Sequence, residues 1–178
     1  SIQDAMKLSR AQCRFFKHNS PEHLEKVLKS ERHKFKGCLV ITEGVFSMDG
    51  DVPPLDKIYE VARKYSSRIM LDQAHCFGVV GPKGLGAADK YNLLRKVDII
   101  MGTFSKIGGG IGGFAVGDQD VIDWITHFAR SFIFSVSLPP STCAAMIESL
   151  KIFNEEPEHL EKLRHNIQHF KHNLKSIG

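Results

Sequence analysis

Lys106 ends the run Met101-Gly-Thr-Phe-Ser-Lys106 and is followed at once by Ile107-Gly-Gly-Gly-Ile-Gly-Gly113. An amine in that setting suits covalent chemistry, because lysine attacks a carbonyl carbon to form an imine and glycines leave the adjoining backbone free. Most lysines are solvated surface groups, so this one gains meaning only from its company. That company lies upstream in Asp72-Gln-Ala-His75 and close by in Thr103 and Ser105. A carboxylate can hold a ring nitrogen protonated, an imidazole can hydrogen-bond an anionic oxygen, and hydroxyls suit a phosphate. Glu43 and Ser47 add a further acid and a further hydroxyl.

For these residues to meet, the chain must deliver them to one edge of a fold. Val97 to Met101, Arg68-Ile-Met-Leu-Asp72 and Cys38-Leu-Val-Ile-Thr42 are apolar runs that predict short buried strands, and each leads into one of the polar groups above. Ala11 to Phe16 and Gly113 to Gly117 read as two more strands. Helical patterns lie between them. Ser1 to Leu8 is one, and Ser20-Pro21 supplies an N-cap and a first-turn proline for a helix through Leu24, Val27 and Leu28. After a loop from Gly44 to Asp51, Pro53-Pro54 opens a helix with Leu55, Ile58, Ala62 and Tyr65 at spacings of three and four. Val121 to Phe128, a helix from Pro139-Pro140 and a last one from Pro157 complete the series. The alternation predicts an α/β fold, a largely parallel sheet with flanking helices.

Ligands of such sheets collect beyond the carboxyl ends of the strands. An acid ending one strand, a histidine three residues later and a lysine ending the next strand suit pyridoxal phosphate. The acid would keep the ring an electron sink, the histidine would bond its oxygen side and the lysine would form the Schiff base. Two rival motifs fail on context. Asp72-Gln-Ala-His75 resembles a helicase box, but no Gly-x-x-x-x-Gly-Lys-Ser/Thr accompanies it. Gly108 to Gly113 fits Gly-x-Gly-x-x-Gly but leads toward a strand instead of a helix.

The 24 basic and 20 acidic residues are interspersed, so the net charge of +4 gives no patch for nucleic acid or a membrane surface. No apolar run approaches the roughly eighteen residues of a membrane span, and a cytoplasmic protein is expected. Cys13, Cys38, Cys76 and Cys143 are widely spaced and read as reduced thiols. His165, His169 and His172 fall on the polar side of the last helix, where solvated histidines are the ordinary case; no metal site is assigned.

Five words occur in one order: Glu43-Gly-Val-Phe-Ser-Met-Asp-Gly-Asp51, Asp72-Gln-Ala-His75, Gly84-Leu-Gly86, Gly102-Thr-Phe-Ser-Lys106 and Phe134-Ser-Val-Ser-Leu-Pro-Pro140. Together they closely resemble the α-oxoamine synthases, fold type I pyridoxal-phosphate enzymes that condense an amino acid with an acyl-CoA and lose carbon dioxide. The resemblance runs from Ser1 to about Phe153. It implies that Asp72 pairs with the pyridine nitrogen, that His75 and Ser47 contact the ring oxygen, and that Thr103, with Ser105 beside it, serves the phosphate. Lys106 would carry the cofactor and then move the substrate's Cα proton, with His75 a donor to the acyl oxygen. Glu43 keeps a second reading as a loop-capping carboxylate. Gln73 departs from the acid usual in Asp-Glu-Ala-His, which alters supporting hydrogen bonds rather than the ring contact.

Thr103 to Lys106 and His127 to Ser135 look most like the bacterial serine palmitoyltransferase branch, with glycine C-acetyltransferase and 8-amino-7-oxononanoate synthase as the alternatives. A pseudo-enzyme or scaffold subunit is another class of reading, against which stand Lys106, Asp72 and His75; a non-catalytic fragment of a longer enzyme is the alternative favoured for the chain as given. Residues 1–156 are expected to be part of the cofactor-binding large domain. Residues 157–178 are expected to form a long amphipathic helix, with its stripe of Leu160, Leu163, Ile167, Phe170, Leu174 and Ile177, leading toward a small domain. The family's glycine-rich phosphate turn, stacking residue and substrate-carboxylate arginine have no counterpart here, and the chain opens on Ser1; it reads as a piece of a homodimeric enzyme, inactive alone. Phe132 to Phe134 and Val136 to Leu138 are expected either in the core or at the dimer boundary.

Overall fold

The computed structural model describes residues 2–177. Helix α1 covers Ile2–Leu8. Helix α2, Pro21–Glu31, starts where predicted: the Ser20 hydroxyl accepts the His23 N–H at 3.2 Å and Pro21 occupies the first turn. A single 3-10 turn, Arg32–Lys34, follows it.

Strand β1, Leu39–Glu43, is parallel to β2, Arg68–Asp72, which is parallel to β3, Ile99–Thr103. Strand β4, Gly113–Gly117, pairs antiparallel with β3 and closes a four-stranded sheet of order β1-β2-β3-β4. The predicted α/β architecture with a mostly parallel sheet is therefore present.

Helix α3, Leu55–Lys64, turns Leu55, Ile58 and Ala62 inward, all fully buried, into one core with Val40 of β1 and Ile69 and Leu71 of β2. Its end is a Schellman turn: Ser66 takes φ +49°, the Ser66 N–H donates to Arg63 O and the Ser67 N–H to Ala62 O, which reverses the chain straight into β2. Helix α4, Ala87–Lys90, is a single turn that the periodicity did not reveal.

On the C-terminal side lie α5, Gln119–Phe128, α6, Arg130–Ile133, α7, Pro140–Glu155, and α8, Glu158–Ile177. The first half of α8 is fastened to the molecule, since Arg164 donates to the carbonyls of Gly81 and Pro82 and Leu160 lies against Gly84. Its far half is bare, with Phe170 64% and Ile177 80% exposed. No helix among the described residues is long and apolar enough to cross a membrane.

Three expectations are corrected. Ala11 to Phe16 is not a strand: no neighbouring strand offers it a ladder, and it crosses the surface without regular structure. Strand β3 begins two residues after Val97, which is instead buried beneath it as the end of a turn from Leu93. Phe134 and Val136 have no core role in this chain, being 75% and 95% exposed.

The cysteines give a direct test of burial. Cys76 sits in the core, where burial pushes its thiol up to about 11, while Cys143 is exposed. The fold therefore favours the neutral thiol of Cys76, a stabilisation complete below its ordinary value near 9 and lost as pH rises toward 11. Alkylation at pH 8, followed by mass spectrometry, is expected to label Cys143 rapidly and Cys76 only after denaturant is added. Equal labelling of both in the native chain would contradict this packing.

Candidate active site

The parallel register places Glu43 beside Asp72, and Asp72 beside Met101. Side chains alternate along each strand, with Val40, Thr42, Ile69, Leu71, Ile100 and Gly102 on the deeply buried side. Glu43, Asp72 and Thr103 consequently share the other face, each half-buried, at the carboxyl ends of three adjacent strands. A one-residue slip of any strand would send its group into the core.

Beyond β1 the backbone runs tightly over its neighbour. The Gly44 N–H donates to Asp72 O at 2.7 Å, and a Cβ at Gly44 would stand 2.4 Å from the Cys76 sulfur. Only glycine fits there. The loop that follows carries Ser47 at its exposed surface and is closed by Phe46 N–H to Asp51 O, 3.0 Å, and Gly50 N–H to Phe46 O, 2.8 Å. His18 and Asn19 clasp this loop from outside: both reach Asp51 Oδ2, at 2.8 and 2.6 Å, and the His18 ring meets Phe46 edge-on. Donor atoms of His18, Asp49 and Asp51 lie within 4.8 Å of one another. With His18 already spent on Asp51, we read the group as a loop clasp. No spacing in the sequence signalled it.

Asp72 turns one oxygen back on its own chain, Oδ1 accepting the Ala74 N–H at 2.9 Å, and Oδ2 accepts no hydrogen bond from the described residues. Gln73, the departure from the family's usual acid, points the other way and is buried. Its Nε2 donates to Leu85 O at 3.0 Å and its Oε1 accepts the Ala88 N–H at 3.1 Å, so it holds the start of α4 in place. At Gly86, which takes φ +94°, a Cβ would collide with that amide at 2.2 Å. Gln73 is therefore structural.

His75 follows in the exposed turn, its Nδ1 3.9 Å from Glu43 Oε2. The Glu43 carboxylate accepts no backbone N–H among the described residues, which removes the loop-capping reading. After β3, Thr103 Oγ1 lies 2.8 Å from Ser105 Oγ and also accepts the Ser105 N–H at 3.2 Å, forming a compact hydroxyl pair. The glycine run is a folded loop: Phe104 N–H donates to Gly112 O and Gly110 N–H to Phe104 O, both at 3.0 Å. Lys106 stands exposed at its tip, its amine free of ion pairs among the described residues. The last helix carries His165, His169 and His172 on its exposed side, where Asn173 and His169 bond to each other at 3.0 Å.

Comparison with known proteins places the chain in a family. The family model described as aminotransferase class I and II matches residues 1–178. The chain is 44% identical to an 8-amino-7-oxononanoate synthase of Thermoanaerobacter pseudethanolicus, over all of this chain and 45% of that protein. Among solved structures it superimposes with a TM-score of 0.94 on a serine palmitoyltransferase from S. paucimobilis with bound PLP–myriocin aldimine, at 35% identity over 99% of this chain and 46% of that one. An 8-amino-7-oxononanoate synthase from Francisella tularensis matches with a TM-score of 0.79 at 28% identity, over 98% of this chain and 50% of that one. The chain thus spans about half the length of the relatives it matches.

Proposed function

The chain belongs to the class I and II aminotransferase family, and on that premise we propose that it forms the cofactor-bearing part of an α-oxoamine synthase. The whole enzyme condenses an amino acid with an acyl-CoA, with decarboxylation. One observation carries this reading: Glu43, Asp72 and Thr103 share one face at the ends of adjacent strands, with Lys106 on the loop directly after.

The donor set fits pyridoxal phosphate. Asp72 keeps an oxygen in reserve for the ring nitrogen, Thr103 and Ser105 present paired hydroxyls for the phosphate, Ser47 and His75 would contact the ring oxygen, and Lys106 offers an amine unengaged among the described residues. When bound, that cofactor supplies an electron sink for the bond being broken at the amino acid's Cα. Asp72 holds a proton on the ring nitrogen through a charge-assisted contact. Lys106 Nζ takes the Cα proton and later returns one. His75 donates toward the oxygen of the incoming acyl group.

Residues 1–156 act as part of the large domain, and residues 157–178 lead toward a further domain, the first half of α8 resting on residues 81–84 before its far half leaves them. The bare end of α8 supports this division, since a stripe of that kind needs cover. Exposure of Phe134 and Val136 supports a homodimer with its sites near the subunit boundary, which a fully active monomer in light scattering would exclude.

Two branches suit the chain. The serine palmitoyltransferase branch follows from the words around Lys106 and from the fit to that structure. The 8-amino-7-oxononanoate synthase branch is favoured by the higher identity, 44%. The test is amino-acid-dependent release of CoA, read as free thiol, from the full-length enzyme loaded with pyridoxal phosphate. Turnover of serine with palmitoyl-CoA supports the first branch; turnover only with another pair excludes it, and formation of 8-amino-7-oxononanoate as the product, in place of the product of a glycine C-acetyltransferase, supports the second. No CoA release with any pair would end the proposal.

A further inference from the structure

We propose that Glu43 is the positioning residue for His75: its carboxylate accepts the Nδ1–H of the imidazole and leaves Nε2 as the end that gains and gives a proton. The inference rests on the functional reading above and deepens it.

Glu43 ends β1 and Asp72 ends β2 at the same register position, so two carboxylates project side by side from one sheet face. Like charges on adjacent strands disfavour each other unless each has a partner. Asp72 has one in the Ala74 N–H. The Glu43 carboxylate has no hydrogen bond among the described residues, although its side chain is only 30% exposed. The group that faces it is His75, whose ring likewise makes no hydrogen bond. Their 3.9 Å separation lies inside ion-pair reach and outside hydrogen-bond reach. Rotation of two partly exposed side chains closes the difference, as such contacts tighten when a site fills.

The other ionisable groups at this strand mouth are Asp72, three residues before the histidine, and Lys106 on the loop after β3. Among the described residues neither forms an ion pair with the ring. A carboxylate behind one imidazole nitrogen fixes which nitrogen bears the proton and steadies the cation when the other nitrogen is protonated. A histidine asked to donate toward an acyl oxygen needs both.

The readout is the tautomer of His75, observed by 15N NMR on histidine-labelled full-length protein above the pH at which the ring is neutral, assigned with a His75→Gln variant. Wild type is expected to carry the proton on Nδ1. Glu43→Gln, which keeps an acceptor oxygen, should preserve that tautomer, whereas Glu43→Ala should move the proton to Nε2. A wild-type ring protonated on Nε2, or an unchanged tautomer in Glu43→Ala, overturns the assignment. Should Glu43→Ala not fold, Glu43→Leu is measured in its place with the same expected outcome. Binding of pyridoxal phosphate is followed separately by its visible absorption band. A normal band with an unmoved tautomer refutes the role of Glu43 alone, and no band in wild type refutes the cofactor reading instead.

Discussion

Lys106→Ala in the full-length enzyme is expected to remove the visible absorption band that pyridoxal phosphate gives with a lysine, and to lower CoA release by at least about 10³-fold. The magnitude follows from losing both the covalent tether and the group that moves the Cα proton, each of which contributes on the order of 10²-fold or more. Lys106 is exposed at the tip of a loop closed by Phe104, Gly110 and Gly112, so its removal leaves no cavity and breaks no hydrogen bond. The melting temperature of the cofactor-free protein should therefore stay within about 1 °C of wild type, because surface substitutions away from such features usually lie within ±0.5 kcal/mol. A variant that keeps both the band and the turnover would transfer the chemistry to another amine.

Asp72→Asn is expected to slow exchange of the substrate's Cα proton by about 10²-fold or more while the fold is retained. Asparagine can still accept the Ala74 N–H through its side-chain oxygen, the contact Asp72 makes at 2.9 Å. What it would lose is the charge proposed to face a protonated ring nitrogen. Such a charge-assisted bond is about twice as strong as a neutral one, and in a water-poor site a change of roughly 3 kcal/mol in the barrier is reasonable, equivalent to about 10²-fold. Deuterium exchange at Cα, followed by NMR, isolates this step from the acyl transfer. Exchange at the wild-type rate would show that the ring nitrogen is held by something else.

The sequence made most of the scaffold legible where local chemistry and packing agree. Ser20-Pro21 caps α2 because a hydroxyl and a missing N–H suit that turn alone, and β2 begins and ends at the charged residues that bound its apolar run. The failures have long-range causes. Ala11 to Phe16 has strand composition, but a strand exists only against a neighbour, and no sheet edge receives it. Helix α4 is fastened by Gln73 from fifteen residues away, a contact that composition does not display. The glycine run reads as loose backbone, yet its hydrogen bonds to Phe104 make it a defined return that sends β4 antiparallel.

Within the site, Asp72 and Thr103 were legible as strand ends, whereas Lys106, expected to end its strand, lies three residues beyond β3 on the loop, because the chain leaves the ladder at Thr103. Glu43 could not be separated from a loop cap until its hydrogen bonds were known. The clasp of His18 and Asn19 on Asp51 joins residues more than thirty positions apart and left no trace in spacing.

The shared register of β1, β2 and β3 also sets limits on how this site can change. Adjacent strands stand about 4.8 Å apart whatever their side chains, so the sheet acts as a ruler whose divisions mutation cannot redraw. Glu43 and Asp72 occupy neighbouring marks on it. Lengthening a side chain moves its functional group outward from the sheet, never sideways to the next mark. An Asp72→Glu change would carry the carboxylate farther out from the sheet while leaving its lateral spacing from Glu43 untouched. Change that leaves this spacing intact is therefore confined to the loops above the sheet, and there to positions other than Gly44, which packs on Cys76, the hydrogen-bonded Phe104, Gly110 and Gly112, and Lys106 itself.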